Sequence, residues 1–309
     1  MEEREKILVK ASWISVIGNA VLSIAKIIVG LTANSLAVLG DGIDSATDVV
    51  ISLVTLFTAR IMSKPPNLKY AYGYERADTV ATKILAFIIF FAGFQMLIST
   101  GESILSGDAR EMPTYITIVV TVFSIVGKLL LAWYQFRQGK KTNSSMLIAN
   151  AKNLRNDVLI SAGVLLGLAF TFILNLPLLD SITGLLISIY IIKSAIDIFM
   201  ETNVELMDGV KDPSIYEKIF EAVEKVPGTS NPHRVRSRQI GNMYMIGLDV
   251  EVNGNLTLKE AHEIAQQVEN SIKASIDNVY DIVVHIEPEG VHHSKEEFGV
   301  NKETFINSK

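Results

Sequence analysis

The sequence predicts a membrane α-helical fold: six transmembrane helices followed by a small cytosolic α+β domain with the element order αββαβ. Three observations carry that expectation. The 309 residues are 49% hydrophobic and only 20% charged, with a mean hydropathy of +0.33, which is greasier than one ordinary soluble domain. Six apolar stretches precede Asp208, each near the roughly 20 helical residues that cross a hydrocarbon core of about 30 Å. After Asp208 the apolar residues recur with the periods of amphipathic helices and half-buried strands.

The six spans are expected near Ala11 to Leu31, Ser35 to Ala59, Ile84 to Ile104, Pro113 to Phe136, Ser145 to Leu174 and Ser181 to Phe199. The third and fifth are the plainest, because no charge falls between Lys83 and Glu102 or between Asp157 and Asp180. The N-terminus alternates acids and bases and lacks the short apolar core and small-residue site of a cleavable signal peptide. Lys and Arg accumulate on the cytoplasmic side of a membrane. With the N-terminus inside, the inner segments hold Arg4, Lys6, Lys10, Arg60, Lys64, Lys69, Arg76, Lys83, Arg137, Lys140 and Lys141, and the outer ones hold only Arg110. Both termini are therefore expected in the cytoplasm, with the inner (plasma) membrane of a bacterium as the expected location. Gly18, Gly30 and Gly163 are expected to permit close helix approach.

Asp212-Pro213 opens an amphipathic helix to about Val226, with Asp as N-cap and Pro in its first turn. Alternating runs at Arg234 to Ile240 and Met243 to Val252 are joined by Gly241-Asn242, a hairpin turn signal. A second helix is expected from about Leu258 to Ile276 and a last strand from Tyr280 to Glu287, with both helices on one face of a short sheet. Residues 1–207 are thus expected to form a six-helix transmembrane domain and 208–290 a cytosolic α+β domain. Val291 to Lys309 reads as a polar, flexible tail.

The net charge of −5 and the absence of any basic run argue against a nucleic-acid partner. With no cysteine, disulfides, thiolate metal sites and cysteine nucleophiles are excluded. Metal chemistry here must use oxygen and imidazole. No phosphate-cradling Gly-rich loop is present, which argues against ATP drive and against an enzyme, and no cofactor is expected.

Carboxylates stand where the membrane is driest. The second span reads LGDGIDSATDVVISL and carries Asp41, Asp44 and Asp48. An ionised acid at bilayer depth costs at least about 2.5 kcal/mol on insertion scales, so such residues are functional candidates. Asp44 and Asp48 are four apart and share a helix face, and NLRND in the fifth span repeats the spacing with Asn153 and Asp157. At about 1.5 Å per residue, the first pair lies roughly 13 to 20 Å from the outer end and the second roughly 12 to 18 Å from the inner end, so both reach the midplane. Packed together they offer seven oxygens, two from each Asp and one from Asn153. Three carboxylates in a low dielectric repel unless a cation or protons intervene. The competing reading pairs Asp44, Asp48 and Asp157 with Lys26, Lys128, Lys152 or Arg155. Asp41 has either a release-path role or a helix-packing one, and Lys128 either snorkels inward or neutralises a carboxylate.

Taken together, SLAVLGDGIDSATDVVIS, YAYGYERAD, NLRNDVLISAG, LMDGVKDPSI, AHEIAQQVE and VVHIEPEG resemble the cation diffusion facilitator family. That resemblance implies a homodimeric exporter of divalent transition metals working by proton antiport. It also implies a transport site at Asp44, Asp48, Asn153 and Asp157. Zinc-type members carry His where Asn153 stands. Losing the imidazole leaves an all-oxygen set that suits harder ions, so the site looks like the manganese-exporting branch, with zinc, iron and cobalt as alternatives. Where relatives place histidines in the loop after the second helix, this chain has Tyr70 and Tyr74, and no metal is expected there. Arg76 matches a basic residue that pairs with an acid at the domain junction, here Asp208, as an interlock; an inconsequential exposed pair is the alternative. In the cytosolic domain His233, Asp249, His262, His285 and Glu287 match the family's ligand places, against the reading of plain surface residues. His285 and Glu287 share a strand face. His292 and His293, adjacent in the tail, read as adventitious. A metal-gated channel and a membrane-bound metal sensor are the readings from other classes.

Overall fold

The computed structural model describes residues 2–105, 111–142, 144–240, 243–290 and 298–307. Six long helices come first: α1 (Glu2–Thr32), α2 (Leu36–Met62), α3 (Ala77–Leu105), α4 (Ile116–Thr142), α5 (Ser145–Leu174) and α6 (Leu178–Leu206). Each is long and apolar enough to cross a membrane. Large apolar side chains such as Phe57, Phe91, Leu159 and Ile173 are exposed around their outside, as lipid-facing positions require. By internal contacts the chain forms two units, one of residues 1–61 and 81–199 and one of residues 62–80 and 200–309. The segment following α2 and the last turns of α6 thus group with the C-terminal elements rather than with the bundle.

Within the first unit, Ala37, Val38, Leu85, Ile89, Val164, Leu168, Ile187 and Ile191 form the apolar centre of α2, α3, α5 and α6. The start of α2 is held by α6. Asp180, 1% exposed, accepts from the Leu36 backbone N–H at 2.7 Å and from Ser35 Oγ at 2.6 Å. A carboxylate at a helix N-terminus meets both the orphan N–H groups and the positive dipole end. Glycine permits two close approaches: a Cβ on Gly30 would stand 2.6 Å from the Leu39 backbone N, and one on Gly18 would stand 2.8 Å from Leu131. Gly163 corrects the expectation, since a Cβ there meets nothing within 4 Å.

The second unit carries α7 (Ser214–Glu224), β1 (Ser230–Ile240), β2 (Met243–Val252), α8 (Leu258–Ser275), β3 (Val279–Pro288) and α9 (Lys302–Asn307). The Asp212 carboxylate accepts from Ser214 N and Oγ, at 2.9 and 2.7 Å, as α7 begins. Those hydrogen bonds hold its carboxyl below the usual range. At α8 a capping box closes between Thr257 and Glu260. The sheet order is β1-β2-β3, antiparallel between β1 and β2 and parallel between β2 and β3, the latter joined through α8. Ile240 pairs with Met243, and the expected turn at Gly241-Asn242 lies outside the described residues. Ile219, Phe220, Val223, Ile246, Leu248, Val250, Val268 and Ile272 fill the core between the two helices and one sheet face. Burying such a side chain stabilises by about 1.5–3 kcal/mol.

The tail departs from the expectation of flexibility. Val300 exchanges backbone hydrogen bonds with Val235, at 3.1 and 2.9 Å, and Phe305 joins the core at 9% exposure. Apolar residues at Val300 and Phe305, in an otherwise polar segment, supply the anchors. His292 and His293 lie outside the described residues.

Candidate metal centres

In the first unit the acids of α2 meet the acids and amides of α5. Asp48, Asn153 and Asp157 line one cavity of about 400 Å³. Its walls are three polar stripes at helical spacing: Ser12, Ser15 and Asn19 on α1, Asp48, Ser52 and Thr55 on α2, and Asn150, Asn153 and Asp157 on α5. The cavity occupies the half of the bundle where α1 begins, α2 ends and α5 begins. Asp48 is within hydrogen-bonding reach of Asp157. Asp44, half-buried one turn further along α2, does not line the cavity but stands in the electrostatic field of Asp157, Lys128, Asp41 and Lys26. Three of the four expected ligands thus share a wall, with the fourth behind them. All donors are oxygens.

Two lysines answer the acids. Lys26 Nζ lies 2.8 Å from Asp41 Oδ2, both side chains being essentially inaccessible. It also donates to Ser45 Oγ at 3.2 Å and to Ser161 Oγ at 3.1 Å, while Ser161 donates to Asp41 Oδ1 at 2.8 Å. This network, with Asp41 in it, ties α1, α2 and α5 together. Lys128 Nζ stands 3.1 Å from Asp157 Oδ2, so it neutralises a carboxylate rather than snorkelling. The ion-pair reading of the intramembrane acids therefore holds for Asp157 with Lys128, whereas Lys152 and Arg155 are exposed. At formal charges, Asp41, Asp44, Asp48 and Asp157 against Lys26 and Lys128 leave two negative charges, the amount one divalent cation offsets. Sequence reasoning missed Ser45 and Ser161 as partners and the stripe on α1. The 3-then-4 spacing of Ser12, Ser15 and Asn19 was the signal available.

In the second unit His233, Asp249 and Glu287 are all buried, with ligand atoms within 4.8 Å of one another, close to the spacing across one coordination shell. Strand pairing sets His233 opposite Asp249 and Asp249 opposite His285, and Glu287 follows two residues after His285 on the same face of β3. The alternation of the strands puts the cluster on the sheet face away from α7 and α8. Register shifts flank His233, with positive φ at Asn231 (43°) and Arg234 (46°), and such irregularities re-aim side chains. His233 Nδ1 is 2.7 Å from the Asn231 carbonyl oxygen, to which it donates, and this turns Nε2 towards Glu287 Oε2 at 3.2 Å. Arg234 donates to Asp249 Oδ2 at 2.7 Å, a partner that sequence reasoning did not find. His285 is exposed, with Nε2 3.4 Å from Glu287 Oε1, and His262 sits on the exposed side of α8, outside the cluster. Three of the five expected residues come together.

The expected interlock pair also forms. Arg76 is ion-paired with Asp208, and Arg238 approaches the same carboxylate at 3.7 Å while its guanidinium lies 5.3 Å from the Tyr72 ring. Thr79 donates to Glu205 at 2.8 Å beside it. A pair as exposed as Arg76 and Asp208 contributes at most about 1 kcal/mol by itself. The Tyr70 and Tyr74 rings meet at 4.7 Å, tilted by 46°, and Tyr74 accepts from Asn67 at 2.6 Å.

Six apolar helices with acids where α2 meets α5, followed along the chain by a small α+β domain, are the parts a membrane transporter of metal ions requires. The sequence matches the cation efflux transmembrane domain family over residues 12–207 and the cation efflux protein cytoplasmic domain family over residues 212–289. The chain belongs to this cation diffusion facilitator family of divalent metal efflux transporters, multi-pass proteins of the membrane. It is 34% identical over 279 residues to the manganese efflux system protein MneS of Bacillus subtilis (strain 168), covering 89% of this chain and 93% of that one. It is 29% identical over 292 residues to the manganese efflux system protein MneP of the same organism, covering 93% and 98%. The metal-bound C-terminal domain of the CzcD transporter from Thermotoga maritima aligns at 36% identity over 26% of this chain and 93% of that structure, with a TM-score of 0.25.

Proposed function

We propose that this protein exports Mn2+ from the cytoplasm in exchange for protons, by alternating access of a site made of Asp44, Asp48, Asn153 and Asp157. The observation that carries the reading is the cavity walled by Asp48, Asn153 and Asp157, which offers oxygen donors only. Oxygen donors favour manganese over the softer ions that imidazole and thiolate select. Two of the most similar relatives are manganese efflux system proteins. The excess of basic residues in one set of loops supports cytoplasmic termini in the inner membrane, so the cavity opens inward. Metal enters along the three polar stripes, displaces protons from the carboxylates and leaves outward when protons return. His233, Asp249 and Glu287 form a regulatory metal site, with His285 and His262 at its margin, in a domain through which two copies of the chain pair as a homodimer. Arg76 and Asp208 join the segment after α2 to the start of that domain.

The test is reconstitution in liposomes with a pH-sensitive dye, comparing Mn2+, Zn2+, Fe2+ and Co2+ for wild type and Asn153→His. The expected result is Mn2+-dependent proton movement that shifts towards Zn2+ in the variant. Zn2+ preference in the wild type overturns the manganese assignment, and metal flux without proton movement overturns antiport.

A further inference from the structure

The two buried lysines of the bundle are held differently. Lys26 has an ion pair and two hydroxyl acceptors, and its Asp41 has a further bond from Ser161. Lys128 is 1% exposed near the middle of α4, yet its Nζ makes no aligned hydrogen bond among the described residues. Like Lys26 facing Asp41 Oδ2, it meets its carboxylate without an aligned hydrogen bond, 3.1 Å from Asp157 Oδ2, but it lacks the hydroxyl acceptors of Lys26 and stands in the field of Asp44 and Asp48. A buried ammonium without hydrogen-bond partners is costly, and an apolar side chain would fill the position on α4 without that cost.

We propose that Lys128 is a positioning residue, a tethered counter-cation that holds Asp157 in the metal-free site and is displaced when the divalent cation binds. This rests on the transport-site reading above. A metal bonded to a carboxylate oxygen at about 2.0–2.2 Å and an ammonium about 3 Å from the same oxygen repel each other strongly at such separations. The ammonium must retreat, and the flexible four-carbon stem of lysine permits it. Lys128 therefore weakens metal binding and speeds release. Lys26, locked by three partners, has no such freedom.

The experiment is Mn2+ transport at fixed pH by the full chain in liposomes, with Mn2+ binding to the same purified protein in detergent. Lys128→Met is expected to lower KM and Kd by at least about tenfold, the effect of removing one nearby positive charge, while kcat falls. Lys128→Arg, which keeps the charge, restores KM to within about threefold of wild type. Lys26→Met lowers thermal stability without lowering KM. If Lys128→Met does not fold, Lys128→Gln is read in the same way. Unchanged or weaker Mn2+ binding in the folded uncharged variant overturns the proposal. The transport-site reading fails separately: Asp157→Asn that still carries Mn2+ sinks that reading, whereas loss of transport in Asp157→Asn without tightening in Lys128→Met sinks only the counter-cation.

Discussion

Acids are gathered twice in this chain, once among membrane helices and once on a cytosolic sheet, and the two assemblies differ in what holds the charge. In the bundle, four aspartates are met by two lysines that reach in from α1 and α4, leaving an excess that one divalent cation offsets. On the sheet, Asp249 and Glu287 are met by one arginine and one histidine, whose Nε2 faces Glu287. The bundle's counter-charges are sealed from water, whereas Arg234 is 38% exposed. The membrane site must stay nearly neutral whether loaded or empty, because uncompensated charge in low dielectric is costly. The cytosolic cluster is itself buried, but one of its counter-charges, Arg234, reaches water.

Substitutions put that contrast to the test. The largest effect is expected from Asp157→Asn or Asp48→Asn, each of which removes a ligand charge. Mn2+ transport in liposomes should fall by more than the about 100-fold typical of outer-shell changes, and near-normal transport would remove these residues from the site. Next is the locked pair: Asp41→Ala leaves Lys26 buried without its carboxylate and should cost about 3–5 kcal/mol of stability, whereas Lys26→Met with Asp41→Leu should recover most of it. Thermal unfolding in detergent measures both, and a double variant no better than the single would show that the network carries more than charge. His233→Ala should weaken cytosolic Mn2+ binding by about 10- to 100-fold while changing the maximal transport rate by less than about threefold, measured by equilibrium dialysis beside liposome uptake. Equal losses in both would place the cytosolic cluster on the transport path.

The smallest effect concerns the capping box of α8. Hydrogen bonds from the Thr257 backbone and hydroxyl hold the Glu260 carboxyl below its ordinary value. A depressed acid contributes stability that is present above the unfolded value of about 4.5 and is lost as pH falls through the lower folded value. The melting temperature of Glu260→Gln should therefore lie a little below that of wild type at neutral pH and converge on it in acid. A gap that persists in acid would assign the effect to packing instead.

Six helices, their order, the αββαβ domain and the placement of acids within the second and fifth helices were all readable along the chain. Each depends on local periodicity, and an i, i+4 pair such as Asp44 and Asp48 or Asn153 and Asp157 shares a face in any α-helix. The strands were readable for the same reason, since alternation marks the buried face. Which lysine meets which acid was not readable, because that depends on how α1, α4 and α5 are rotated against α2, and rotation follows from packing along whole helices. Strand register and the irregularity around His233 selected His233, Asp249 and Glu287 from five candidates and left His262 out. The docking of Phe305 into the cytosolic core, against the polar look of the tail, likewise needed a folded partner surface. Spacing along the chain thus determined which residues share a face, while their partners across the gap waited on long-range packing, where small rotations and one-residue shifts change every contact.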